Sequence, residues 1–131
     1  MTTPPHIAAP GESFNFAQHL LACNTQRIAK AAFIDDLGTL SFGQLDERVR
    51  RVAACLRSLG IKREERVLLM QDGNDWPVSL LGAIYAGIVP VAVNTLLTPD
   101  DYAYMLEHSR AQAVFVSGAQ LSALTAAMAV L

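Results

Sequence analysis

Cysteine, charge and catalytic motifs are all scarce in this chain. Only Cys23 and Cys55 occur among 131 residues, which excludes a disulfide framework and points to reduced thiols in a cytoplasmic compartment. Ten Lys and Arg against twelve Asp and Glu leave a formal charge of −2, without the basic surplus of a nucleic-acid binder. The opening MTTPPHIAAPGES has neither a basic stretch nor an apolar one, so it is not a secretory signal. Residues 1–13 are expected to form a mobile, Pro-rich tail, and 14–131 the first, truncated part of a larger domain, since the last apolar helical pattern ends without a stop signal. The phosphate-cradling spacings G-x-x-x-x-G-K-[ST] and G-x-G-x-x-G are absent, as is the G-x-S-x-G elbow of a serine nucleophile. The three histidines, His6, His19 and His108, form no H-x-x-x-H pair and have no cysteine at metal-ligand spacing.

What is present begins with a silence. No charged residue occurs from Trp76 to Pro99, and about 20 apolar residues suffice to cross a bilayer. Local signals argue against a membrane span. Asp75 is placed to cap a helix and Pro77 falls in its first turn. Gly87 then stops a helix over about 76–86. The run Val89–Val93 reads as a strand apolar on both faces, as a helix-covered parallel sheet requires.

Similar punctuation organises the rest. Asn15 and Gln18 stand at capping-box spacing before a short helix containing Phe16, Leu20 and Leu21. AAFIDDLGTLSF predicts a hairpin, with strands at Ala32–Ile34 and Thr39–Ser41 around a turn at Asp35–Gly38. Ser41 and Gln44 box the start of a long helix. Its apolar stripe is Leu45, Val49, Val52, Ala53, Leu56 and Leu59, and Gly60 closes it. Arg48, Arg50, Arg51 and Arg57 fall mostly off that stripe and read as a solvated face paired with Asp46 and Glu47.

Val67–Gln71 is the next buried strand, and Ala113–Ser117 is a third parallel strand. Thr98 caps a helix opened by Pro99, with Asp100 and Asp101 at its positive end and Tyr102, Met105 and Leu106 on its apolar side. A last helical pattern covers Ala119–Leu131. The fold class is therefore α/β: a partial doubly wound parallel sheet, βαβαβα, preceded by a short helix and a β-hairpin, with right-handed crossovers expected.

Open α/β sheets bind ligands at the carboxyl ends of their strands. Here those ends carry Asp72-Gly73-Asn74-Asp75, Asn94-Thr95 and Ser117-Gly118. Asp72 and Asp75 read as a loop-and-cap pair rather than metal ligands, and Asn94 as a residue that satisfies loop backbone. His108-Ser109 lacks a third catalytic member, and His108 suits the negative end of its helix. Asp35-Asp36, Asp72 and Thr95 can be cast as the acids and hydroxyl of a phosphoryl receiver. The lysine such a site needs is missing, because Ser117-Gly118 stands at its position.

Three segments carry a resemblance. LSFGQLDERVRRVAACLRSLGIKREERVLL is similar to the early motif of adenylate-forming enzymes, where "(T/S)-(Y/F)-x-x-L" opens a long helix followed by Gly and a "(D/E)-x-V" strand. WPVSLLGAIYAGIVPVAVN resembles their second motif, a helix rich in small residues running into a strand that ends in Asn or Asp. TPDDYAYMLEHSRAQAVFVS resembles the following helix and strand, commonly "T-x-x-E-L-x-Y-x-L-x-x-S-x-A-x-x-(L/V)-(V/I)". The wording is most like the benzoate-coenzyme A ligase branch.

The resemblance implies a parent enzyme that joins an aromatic acid to ATP, with Mg2+, as an acyl-adenylate and passes the acyl group to coenzyme A. It also implies that the catalytic parts lie later in the parent chain. These are a Ser/Thr/Gly-rich loop with lysine, an acid pocket, a ribose-binding aspartate and a lysine in a C-terminal domain. No catalytic residue, metal ligand or bound cofactor is therefore expected in these 131 residues. The partner is the remainder of the same ligase, with no nucleic acid or membrane. The isolated piece is expected to be inactive and to self-associate or swap elements.

Asn94, Thr95 and Leu96 match a loop that lies toward the coenzyme A side in relatives. Some relatives have Pro and then a basic residue after this Asn, a pattern from which Thr95-Leu96 departs. The alternative reading is a free-standing, non-catalytic α/β interaction module that binds through an open sheet edge and the apolar last helix.

Overall fold

A computed structural model describes residues 1–131. Residues 1–14 are exposed and lie outside any helix or strand. Helix α1 (Phe16–Ala22) follows, capped by Asn15, whose Oδ1 accepts the Gln18 N–H at 3.1 Å. Only this half of the capping box forms, and the Asn15 amide Nδ2 ties the helix start to a distant segment by donating to the Ile84 carbonyl at 2.8 Å. Strands β1 (Ala31–Asp35) and β2 (Gly38–Ser41) form the antiparallel hairpin, each reaching toward a tighter turn than the sequence suggests. Helix α2 (Phe42–Ser58) opens with the predicted box. Ser41 Oγ accepts the Gln44 N–H, and Gln44 Oε1 accepts the Ser41 N–H.

The parallel sheet consists of β3 (Arg66–Met70), β4 (Val89–Ala92) and β5 (Ala113–Val116) in the order β4-β3-β5. Helix α3 (Asp75–Tyr85) links β3 to β4, and α4 (Pro99–Ser109) carries the chain from β4 across to β5. A short 3-10 turn (Gly118–Gln120) then leads into α5 (Leu121–Ala129), which starts later than the sequence pattern suggests.

Alternation along β3 explains the two covered faces. Val67 and Leu69 join Leu56, Ala83 and Ile88 under α2 and α3. Leu68 and Met70 point the other way, to Tyr102, Ala103, Leu124 and Ala127 of α4 and α5. Successive strand residues face opposite sides, so one wholly apolar strand supplies both layers of core. This is the doubly wound arrangement.

Two expectations change. The strand Val89–Val93 is not covered on both faces: β4 is an edge strand, and Val89 is 43% exposed. Only β3 is the dry centre of the sheet. Asp75 is not the cap of α3 but its first residue, with Asn74 at the N-cap in helical conformation and making no side-chain cap bond. The Asn74 side chain is turned to the hairpin, where its amide N–H donates to the Gly38 carbonyl at 3.1 Å. The structure agrees with the rejection of a phosphoryl receiver, because Asp35 belongs to the hairpin and not to the parallel sheet.

Gly87 ends α3 as predicted, at φ +79°, a conformation that side chains disfavour. No helix is long and apolar enough to cross a membrane. Both cysteines are exposed and free.

Candidate functional site at the carboxyl rim of the sheet

The loops leaving the three parallel strands form two separate pieces of rim. The first lies beyond β3 and β5. There the Ser117 N–H donates to the Met70 carbonyl at 3.0 Å, and the Asp72 N–H donates to Ser117 Oγ at 3.3 Å. The hairpin closes one side. Asp35 accepts the N–H groups of Leu37 and Gly38 on Oδ1, at 2.9 and 3.0 Å, and the N–H of Asn74 on Oδ2, at 2.8 Å. One carboxylate thus ties the hairpin turn to the loop that starts α3. Gly73 makes the approach possible: a Cβ there would meet Asp35 Oδ2 at 2.8 Å.

A cleft of about 550 Å³ remains between these loops, lined among others by Asp35, Arg48, Gln71, Asp72, Asn74 and Ser117. Its lining carries the carboxylates of Asp35, Asp72 and Asp75 against the single guanidinium of Arg48. An acidic rim without lysine does not suit a triphosphate, whose binding depends on cations and converging N–H groups. No group of three His, Cys, Asp or Glu side chains is placed to hold a metal ion.

The Asn74 N–H, followed by that of Leu37, holds the Asp35 carboxyl below its ordinary value of 3.8. A depressed carboxyl stabilises the folded state above the unfolded-state value and loses that contribution as pH falls through the folded-state value. Asp35→Asn is therefore expected to lower the urea midpoint at neutral pH, with the difference from wild type shrinking well below pH 3.8. A gap that stayed constant down through that range would show that the charge is not what binds the loop.

The second piece of rim holds the residues marked in the sequence. Asn94, Thr95 and Leu96 lie together in the loop after β4, away from the acidic cleft. Asn94 does satisfy loop backbone: its Oδ1 accepts the Leu96 N–H at 2.8 Å. Leu96 is 88% exposed. The sequence reading missed the residue that organises this loop, Tyr102. Its hydroxyl donates to the Asn94 carbonyl at 2.7 Å and accepts the Leu97 N–H at 3.2 Å. A signal was available, since Tyr102 stands where the pattern it resembles has Leu.

The remaining candidates are structural. Arg50 pairs with Asp46 and Arg51 with Glu47, one turn apart on α2. Arg50 also donates to the Tyr85 hydroxyl at 2.8 Å and lies over its ring. His108, in the last turn of α4, stacks on Tyr104 with ring centroids 5.3 Å apart.

Comparison with known proteins agrees with this architecture. The profile of the AMP-binding enzyme family matches residues 21–131. Benzoate–CoA ligase of Thauera aromatica is 44% identical over 119 residues, covering 88% of this chain and 22% of that protein. A 4-hydroxybenzoate–CoA/benzoate–CoA ligase of Rhodopseudomonas palustris is 49% identical over 92 residues, covering 70% of this chain and 17% of the relative. The structure of a benzoate CoA ligase from Burkholderia xenovorans LB400 superposes with a TM-score of 0.88 at 52% identity. That match covers 91% of this chain and 24% of that one. The chain thus spans about a fifth of the length of the curated relatives it matches. With a family profile matched over most of its length and the same α/β layers, this chain belongs to the AMP-binding enzyme family.

Proposed function

We propose that these residues are the N-terminal part of a cytoplasmic, AMP-forming aryl-CoA ligase whose complete form acts on benzoate or a closely related aromatic acid. The observation that carries this reading is identity of 44–52% to three proteins named as benzoate CoA ligases. Such identity over 70–91% of the chain favours a ligase over a free-standing interaction module. In the complete enzyme, the acid and ATP, with Mg2+, would give an acyl-adenylate and pyrophosphate. The coenzyme A thiol would then take the acyl group and release AMP. No step of that chemistry is assigned to a residue of this chain, whose acidic cleft does not suit a triphosphate.

Asn94, Thr95 and Leu96 are the residues we place on the coenzyme A side. Their loop carries no charged side chain, so it suits the neutral, amide-bearing arm of coenzyme A and not its phosphates. The remainder of the ligase is the partner. We place it over the apolar groove between α4, β5 and α5, lined by Leu106, Val114, Leu124, Met128 and Leu131.

Expression of the complete reading frame that contains these 131 codons tests the proposal. The expected product releases AMP from ATP when benzoate is supplied and forms benzoyl-CoA when coenzyme A is added. A folded product that releases no AMP with benzoate or its ring-substituted analogues overturns it. The 131-residue chain alone is expected to release none, because it lacks groups to neutralise a triphosphate. Benzoate-dependent AMP from the purified isolated chain would refute that part.

A further inference from the structure

Tyr102 is wholly buried on α4, its ring packed with Leu68, Met70, Leu124 and Ala127. A phenylalanine would fill the same space, so the hydroxyl adds nothing to the core. What it does add is a closure. By bonding the Asn94 carbonyl and the Leu97 N–H, it pins both ends of a four-residue loop from beneath.

The start of α4 is itself locked. Thr98 Oγ1 accepts the Asp101 N–H at 3.3 Å, and Asp101 Oδ2 accepts the Thr98 N–H at 3.2 Å. Tyr102 is therefore held at a set distance from the loop it anchors. Within the loop, Asn94 Oδ1 takes the Leu96 N–H, and the Leu96 side chain is left standing in solvent. An apolar side chain on a backbone restrained at both ends is a preorganised contact surface, and preorganisation lowers the ordering cost of binding.

We propose that Tyr102 is a positioning residue, whose buried hydroxyl holds the Asn94–Leu97 loop in the shape that receives the acyl acceptor, coenzyme A. The choice of acceptor rests on the aryl-CoA ligase reading above; the latch itself rests on the contacts of this chain.

The test is Tyr102→Phe, read in two ways. In the 131-residue chain, hydrogen exchange at the Leu97 amide is expected to accelerate roughly tenfold, the loss of about one hydrogen bond. Amides of β3 should keep their wild-type rates. Unchanged exchange at Leu97, or acceleration only in parallel with β3, overturns the latch.

In the complete protein, KM for coenzyme A is expected to rise about fivefold or more while benzoyl-adenylate forms at nearly the wild-type rate. A merely structural hydroxyl would leave both half-reactions unchanged or slow them together, and either result overturns the positioning role. A wild-type protein that makes no benzoate-dependent AMP refutes the ligase reading, and with it coenzyme A as the acceptor. The exchange measurement still decides the latch in that case.

Discussion

Leu68→Ala is expected to lower the unfolding free energy by about 2–5 kcal/mol, a large part of the roughly 5–15 kcal/mol that holds a domain of this size. Leu68 sits on the central strand with no solvent exposure, against Tyr102, Leu124 and Ala127 on the α4/α5 side. Truncation there removes apolar contact and leaves a cavity. Strands on both flanks and helices above limit how far the site can collapse. The measurement is urea unfolding, with a fall in midpoint and an unchanged slope. Leu68→Ile, which conserves volume, should cost less than about 1.5 kcal/mol. Equal costs for the two variants would mean that α4 and α5 are not packed on β3 as described.

The second large effect reverses a familiar sign. Replacing glycine by alanine inside a helix ordinarily stabilises it by about 0.5–1 kcal/mol. At Gly82, on α3, the expected result is a net loss. A Cβ built there would lie 2.6 Å from Val52 Cβ, closer still to Val52 Cγ1, and 3.3 Å from the Val49 carbonyl oxygen of α2. Val52 is β-branched and stiff at χ1, so it has little room to turn aside. The overlap should cost about 1–3 kcal/mol, exceeding the gain in helix propensity.

Against a Val52→Gly background, which removes both Val52 atoms the new Cβ would meet, Gly82→Ala should cost less than in wild type, with a coupling of about 0.5–3 kcal/mol between the two sites. If Gly82→Ala alone raised the thermal midpoint, the close approach of α2 and α3 would be refuted.

Gly82 also shows where reading a sequence stops. In GAIYAG it is one small residue among several, and nothing local distinguishes it from a tolerated helical glycine. Its role follows from Val52, which lies in another helix. Asp35 behaves similarly. DDLG reads correctly as a turn, and the carboxylate does accept the Leu37 and Gly38 N–H groups. Its bond to the Asn74 N–H spans 39 positions. That bond, with the Asn74 amide on Gly38, joins the start of α3 to the hairpin, a link no local signal marks. Tyr102 was legible as an apolar-face residue of α4. Its hydroxyl's partners were not, because they depend on how the loop after β4 folds back over the helix start.

The sequence by itself determined the elements. The capping box at Ser41, the cap at Thr98, the stripe on α2, the stop at Gly87 and the apolar strands are local signals. Each acts through hydrogen bonds and side-chain spacing within a turn or two of chain. The motifs carried on those elements also pointed to the family. Tertiary structure alone decided that β3 and not β4 is the buried centre of the sheet. It also set which loops form the acidic cleft and which backbone groups receive the Asp35 carboxylate and the Tyr102 hydroxyl. The physical reason is that strand order and these polar pairings join groups distant in sequence. Periodicity says which side of an element is apolar, and only packing decides what that side meets.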